Sequence, residues 1–107
     1  IKSGGEWISS IDLENAIMAH PGEREAAVVG IPHPKWEERP FALVVLRESA
    51  EGSTTADEIR DFIALSFAKW QFPDEIRFVA EIPKTSVGKF SKKHIREQYR
   101  DAYQSAG

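Results

Sequence analysis

The sequence predicts an α+β domain in which a small sheet of about three strands is packed by about three helices, behind a short N-terminal loop or hairpin region. Three observations carry this expectation. Two apolar, β-branched runs, EAAVVGI at 25–31 and FALVVL at 41–46, have the length and composition of buried strands. Ser9, Thr55 and Ser91 each stand where an N-cap would precede a segment with helical spacing of apolar residues. The 107 residues, 41% hydrophobic and 29% charged, suffice for one modest core, so a single domain over 1–107 is expected.

Taken in order, the first helix starts at Ser9, with Asp12 three residues on and Ile8 placed to staple onto Leu13. Leu13, Ala16 and Ile17 share one face, and His20-Pro21-Gly22 ends the helix. The strand at 25–31 is expected to break at Pro32 and Pro34, and KWEER reads as a charged loop before the strand at 41–46. The loop RESAEGST leads to Thr55, which with Glu58 has the pattern of a capping box, and Ile59, Phe62, Ile63 and Phe67 follow at three-to-four spacing. EIRFV at 75–79 suggests a third strand, and Pro83 and Gly88 bracket a loop. Ser91 then caps a last helix with Ile95, Tyr99, Ala102 and Tyr103 inside and Phe90 stapled to Ile95. Neither an internal repeat nor a βαβ series is evident.

Composition removes several classes of function. Without cysteine there are no disulfides, zinc-thiolate sites or thiol nucleophiles. His20, His33 and His94 show no metal-ligand spacing, so no metal site is expected. Glu37 and Glu38 are neighbours that face apart, a weak arrangement for paired acid-base work. No apolar run reaches the roughly 18 residues that suggest a bilayer span, and cytoplasm is the default location. Trp36 and Trp70 read as core or loop anchors. The chain starts at Ile1 and enters structured sequence at once, as an excised piece with something upstream would.

Charge is split along the chain. Residues 83–107 hold six basic and two acidic side chains, a balance of +4 within a chain whose net charge is -3, which leaves -7 for the remainder. The centre of this segment is PKTSVGKFSKK at 83–93. It is not a P-loop: in the frame G-x-x-x-x-G-K-[ST] the first glycine position holds Pro83 and the hydroxyl position holds Phe90. Lys92 and Lys93 nevertheless stand in the first turn of a helix, where the dipole disfavours a cation by about 0.3–1 kcal/mol. A local rule broken in this way suggests an anion-facing function; a solvated basic face is the alternative reading.

PKTSVGKFSKK resembles the C-terminal P-K-T-x-x-G-K motif of adenylate-forming enzymes, and IKSGGEWISSIDLE resembles the motif that opens their C-terminal domain. GIPHPKWEERPFALVVL between them fits as well, so the resemblance covers essentially all 107 residues. Within that superfamily the wording KSGGEWISS is most similar to bacterial medium- and long-chain fatty acyl-CoA synthetases. The resemblance implies the small mobile lid of an enzyme that joins a carboxylic acid to CoA. The acid first attacks the α-phosphate of ATP, releasing pyrophosphate, and the CoA thiol then displaces AMP. ATP and CoA would be substrates, with Mg2+ bound mainly by the large N-terminal domain, which would be this chain's partner.

By motif position Lys89 is the lysine that reaches the carboxylate and α-phosphate during adenylation, and Gly4 is the glycine past which pantetheine runs in the second step. Lys2 and Trp7, flanking the glycine pair, are further cofactor-facing candidates; a surface lysine and a domain-boundary tryptophan are their alternatives. Lys84, Lys92 and Lys93 stand equally between phosphate contact and plain solvation. Phe90 replaces the smaller aliphatic common in the family, His33 replaces a common acidic residue, and the family's hinge lies upstream of Ile1. The chain alone is therefore expected to be catalytically silent. Two other readings stay open: a phosphate-backbone binder of nucleic acid, for which the sequence pI of 5.6 and the absence of interleaved aromatics are unfavourable, and an interaction module.

Overall fold

Both long apolar runs lie in one antiparallel hairpin at the centre of the fold, formed by β3 (Glu23–His33) and β4 (Glu37–Leu46). The computed structural model describes residues 1–104, so the last three residues of the expected 1–107 span lie outside the described residues. The sheet has five strands rather than about three. The added pair is a two-residue-per-strand hairpin, β1 (Lys2–Ser3) and β2 (Glu6–Trp7), which joins the sheet by pairing Ser3 with Glu37. The order is β2-β1-β4-β3, and β5 (Glu75–Phe78) lies parallel to β4. A β4-α2-β5 crossover is therefore present where none was evident. Its helix, α2 (Ala56–Ile63), supplies the connection that a parallel pair requires.

The sheet is buried on both faces, which explains why its strands are continuously apolar rather than alternating. On one face Ala26, Val28, Ala42, Val44 and Ile76 pack against Leu13 and Ile17 of α1 (Ser10–Met18) and Ile59 and Ile63 of α2. On the other, Ala27, Val29, Phe41 and Leu43 pack against Ile82, Ile95 of α3 (Lys92–Gln98) and Tyr103. Ser9 Oγ and Thr55 Oγ1 accept from the amides of Asp12 and Glu58, as the sequence suggested. Ser91 differs: it precedes α3 but makes no side-chain cap hydrogen bond. Phe67, Ala102 and Tyr103 lie beyond the helices that were to carry them, yet all three still pack on the core.

β3 does not break at Pro32, and the ladder explains why. The Val28 amide donates to Glu14 Oε2 at 2.8 Å, so residue 28 and its even-numbered neighbours turn their backbone groups away from β4. Pro32 shares that parity on an edge strand, where a missing N–H removes no ladder bond. Glu14 also covers part of the edge that β3 leaves open.

Where α1 ends, the Glu23 side chain is fully buried, with Oε2 2.8 Å from His20 Nδ1. The Gly22 amide lies 3.0 Å from the same nitrogen, so both neighbours converge on one atom of the imidazole. Burial pushes the Glu23 carboxyl above the usual carboxylate range, with His20 opposing. A raised folded-state pKa contributes stability that is present below the ordinary carboxylate range and is lost as pH rises through the folded value. Glu23→Gln, which keeps a donor for His20, is expected to gain stability over the parent chain as pH rises, from little at pH 5 to most at pH 8. Urea unfolding of both proteins at the two pH values checks this; parallel curves would contradict it.

Candidate functional site

The P-K-T-x-x-G-K stretch forms a small hairpin. Lys84 and Phe90 bridge across it, the Thr85 amide donates to the Lys89 carbonyl at 2.7 Å, and the Gly88 amide donates to the Thr85 carbonyl at 3.0 Å. Gly88 closes the turn at φ +82°, a conformation that favours glycine. At its base the Ser91 amide donates to the Pro83 carbonyl, and half-buried Phe90 packs on the core beside Ile82 and Ile95.

The lysines around this hairpin differ in their partners. Lys84 Nζ lies 2.8 Å from Glu25, and Lys92 Nζ lies 3.0 Å from Glu14 and 3.4 Å from Ser10 Oγ. Lys92 therefore ties α3 to α1 and is not the open anion-attracting group that its place in the first turn suggested; the carboxylate of Glu14 also offsets the unfavourable dipole. Lys89 is exposed and, like Lys93, has no carboxylate partner among the described residues. The pinned lysines and Phe90 hold the frame, and the Lys89 ammonium is left facing solvent.

A second element is the cleft beside Gly4, about 370 Å³ in volume, lined by Ser3, Gly4, Glu6, Trp36, Arg39, Trp70 and Asp74. Gly4 and Gly5, at φ +57° and +87°, form the two-residue turn between β1 and β2. A Cβ on Gly4 would stand 3.1 Å from the Trp36 ring, and the Gly4 amide donates to the Trp36 carbonyl at 2.8 Å. Trp36 and Trp70 are 42% and 47% exposed and stand on turns, so of the two readings, core or loop anchor, the core one fails. Buried Arg39 reaches three partners: Nε donates to Asp74 at 2.8 Å, Nη1 to Ser3 Oγ at 2.9 Å and Nη2 to the Phe72 carbonyl at 3.0 Å.

The structure separates the remaining candidates. Lys2 pairs in register with Trp7, its ammonium 5.9 Å from the indole, on an exposed part of the hairpin; neither lines the cleft. The Glu38 carboxylate accepts from the Lys2 amide, and the Glu37 backbone adopts φ 72° at the turn into β4. Sequence reasoning missed Trp36, Trp70, Arg39 and Asp74 as a group. A usable signal was present: both tryptophans follow a lysine, outside any apolar periodicity.

The two elements lie at opposite ends of the β3–β4 hairpin. Lys84 is pinned to Glu25, which pairs with Val45, while Ser3 of the cleft pairs with Glu37. From residue 37 to residue 45 of an extended strand is about 27 Å. Among the described residues no group of three His, Asp or Glu side chains could hold a metal ion, and no helix is long and apolar enough to cross a membrane.

Comparison with known proteins agrees with this geometry. The chain is 58% identical over 106 residues to a long-chain-fatty-acid–CoA ligase of Thermus thermophilus, covering 99% of this chain and 19% of that protein. It is 51% identical over 102 residues to a 3-methylmercaptopropionyl-CoA ligase of Ruegeria pomeroyi, covering 94% of this chain and 18% of the relative. The fold matches the crystal structure of ATP-bound MatB from Rhodopseudomonas palustris with a TM-score of 0.89 at 29% identity, over 96% of this chain and 20% of that one. The chain thus spans about a fifth of the length of these relatives. Residues 12–89, which run from the first turn of α1 to Lys89 itself, match the family model of the AMP-binding enzyme C-terminal domain, and the chain belongs to that family.

Proposed function

We propose that these residues work as the reorienting C-terminal lid of an ATP-dependent acyl-CoA synthetase, serving adenylation with one end and thioester formation with the other. The observation that carries this reading is the separation of Lys89's hairpin from the cleft at Gly4 along one rigid pair of strands. Elements attached to these strands at different points, Lys84 at Glu25 and Ser3 at Glu37, present different surfaces to a partner domain. The domain must turn between the half-reactions, and its N-terminal partner supplies the surface it turns against.

In the first step a carboxylate oxygen of the acid bonds to the α-phosphorus of ATP and the bond to pyrophosphate breaks. The Lys89 ammonium meets the charge that gathers there, delivered from a hairpin whose backbone is already formed. In the second step the CoA thiol bonds to the acyl carbon and AMP leaves. The tryptophan-walled cleft and side-chain-free Gly4 then admit CoA, with Lys2 and Trp7 on the neighbouring hairpin surface. Mg2+ would be bound mainly by the N-terminal domain; among the described residues no group of three His, Asp or Glu side chains could hold it.

Chain identity above one half with ligases named for two different acids supports acyl selection outside this segment. The internal pairing of Lys84 and Lys92 weakens the reading as a nucleic-acid binder, since it removes cations from the surface stripe such binding needs. The test is assay of the full-length protein with a panel of carboxylic acids, ATP and CoA. Acid-dependent release of pyrophosphate followed by CoA consumption is expected; no turnover with any acid would overturn the proposal.

A further inference from the structure

We infer that Arg39 is a positioning residue for the CoA step alone: its guanidinium sets the spacing between the two walls of the tryptophan cleft. The inference rests on the reading of that cleft as the CoA-facing element. One wall is the β1–β2 hairpin, with Gly4 at its turn. It meets the central sheet through a single register pair, Ser3 with Glu37, and is otherwise held by the Gly4 amide on the Trp36 carbonyl and the Lys2 amide on Glu38. The other wall carries Trp70 on a 3-10 turn over Lys69–Gln71, with no strand partner of its own.

Arg39, on β4 between them, is the group that touches both. Nη1 holds Ser3, the residue before Gly4, while Nη2 and Nε hold Phe72 and Asp74, just after Trp70. The side chain is only 10% exposed, and a buried guanidinium stays where its partners fix it. Its planar fork addresses three acceptors at once, which a lysine cannot imitate. The Lys89 hairpin is tied through Lys84 to Glu25 of β3, which pairs with Val45 well along β4 from Arg39, so loosening this clamp leaves the adenylation element undisturbed.

The experiment uses the full-length protein with Arg39→Met, Arg39→Lys, Ser3→Ala and Asp74→Asn, and follows both half-reactions: pyrophosphate release, and thioester formation from supplied acyl-adenylate. Arg39→Met is expected to raise KM for CoA about tenfold while adenylation stays within about twofold of the parent. Arg39→Lys should not restore it, and Ser3→Ala and Asp74→Asn should shift KM in the same direction by less. The penalty should be equal for CoA and dephospho-CoA, because the clamp shapes the cleft and does not bind the 3′-phosphate. An unchanged KM, an equal loss in both half-reactions, or a penalty that vanishes with dephospho-CoA overturns the inference. Should Arg39→Met fail to fold, the Ser3 and Asp74 variants decide the matter by the same readings. Gly4→Trp in parallel separates the two levels of argument: if it leaves the CoA step intact, the reading of the cleft falls and Arg39's role with it. If it blocks that step while the clamp variants are indifferent, only the role of Arg39 falls.

Discussion

Lys89→Ala in the full-length protein is expected to slow acyl-adenylate formation by about 10²- to 10³-fold, or about 2.7–4 kcal/mol in the barrier. The size is that of a charge delivered to a developing anion. The hairpin backbone that carries Lys89 is fixed by hydrogen bonds, and no carboxylate among the described residues has to release the ammonium before it can meet the phosphate. In a closed, water-poor site such a charge acts through a lower dielectric than it would in solution. Lys93→Ala is the clean control, since Lys93 is also exposed and without a carboxylate partner among the described residues. Lys84→Ala and Lys92→Ala instead break partly exposed ion pairs and should cost about 0–1 kcal/mol of stability, with little effect on chemistry. Thioester formation from supplied acyl-adenylate should be nearly spared. Equal losses in both half-reactions would contradict a lid that turns, and equal losses from Lys89→Ala and Lys93→Ala would reduce the loop to a diffuse basic patch.

Gly4→Trp is expected to act in the opposite sense, lowering thioester formation by about 10²-fold while adenylation continues, because small misplacements at a reacting centre have effects of that order. Two properties of the position account for this. Its φ of +57° is one that side-chain-bearing residues rarely adopt, and a Cβ there meets the ring of Trp36 at 3.1 Å. A tryptophan at residue 4 must therefore fill the cleft or displace one of its walls. The readout is single-turnover conversion of supplied acyl-adenylate to acyl-CoA, beside pyrophosphate release from acid and ATP. Undiminished CoA transfer would exclude Gly4 from the CoA path.

Sequence alone disclosed the elements whose signal is local. Ser9 and Thr55 cap the helices they were expected to cap, and the apolar runs became β3 and β4. It misread features whose cause is a partner far along the chain. Pro32 looked like a strand breaker because nothing nearby reveals that its backbone faces an open edge. Lys92 looked like an open cation because Glu14 is 78 residues earlier in the chain. Lys89 and Gly4 were singled out through the resemblance of their motifs to a family, and the structure sets both in local turns. The cleft was not legible, because Ser3, Trp36, Arg39 and Trp70 come together only when β1, β4 and the segment before β5 meet.

The β3–β4 hairpin has a further consequence, for how the chain can change in length. It acts as a ruler between Lys89's hairpin and the cleft, and its graduations are residues. Deleting one residue from either strand would turn every side chain beyond that point onto the opposite face, exchanging the two buried layers and moving Pro32 or Pro40 into positions where an N–H is needed. The tolerable change is two residues in each strand together, which keeps parity and register but moves the two ends apart by about 7 Å. Natural variation in length should therefore collect in the segment 47–54, outside the paired strands, and spare the spacing between the domain's working ends.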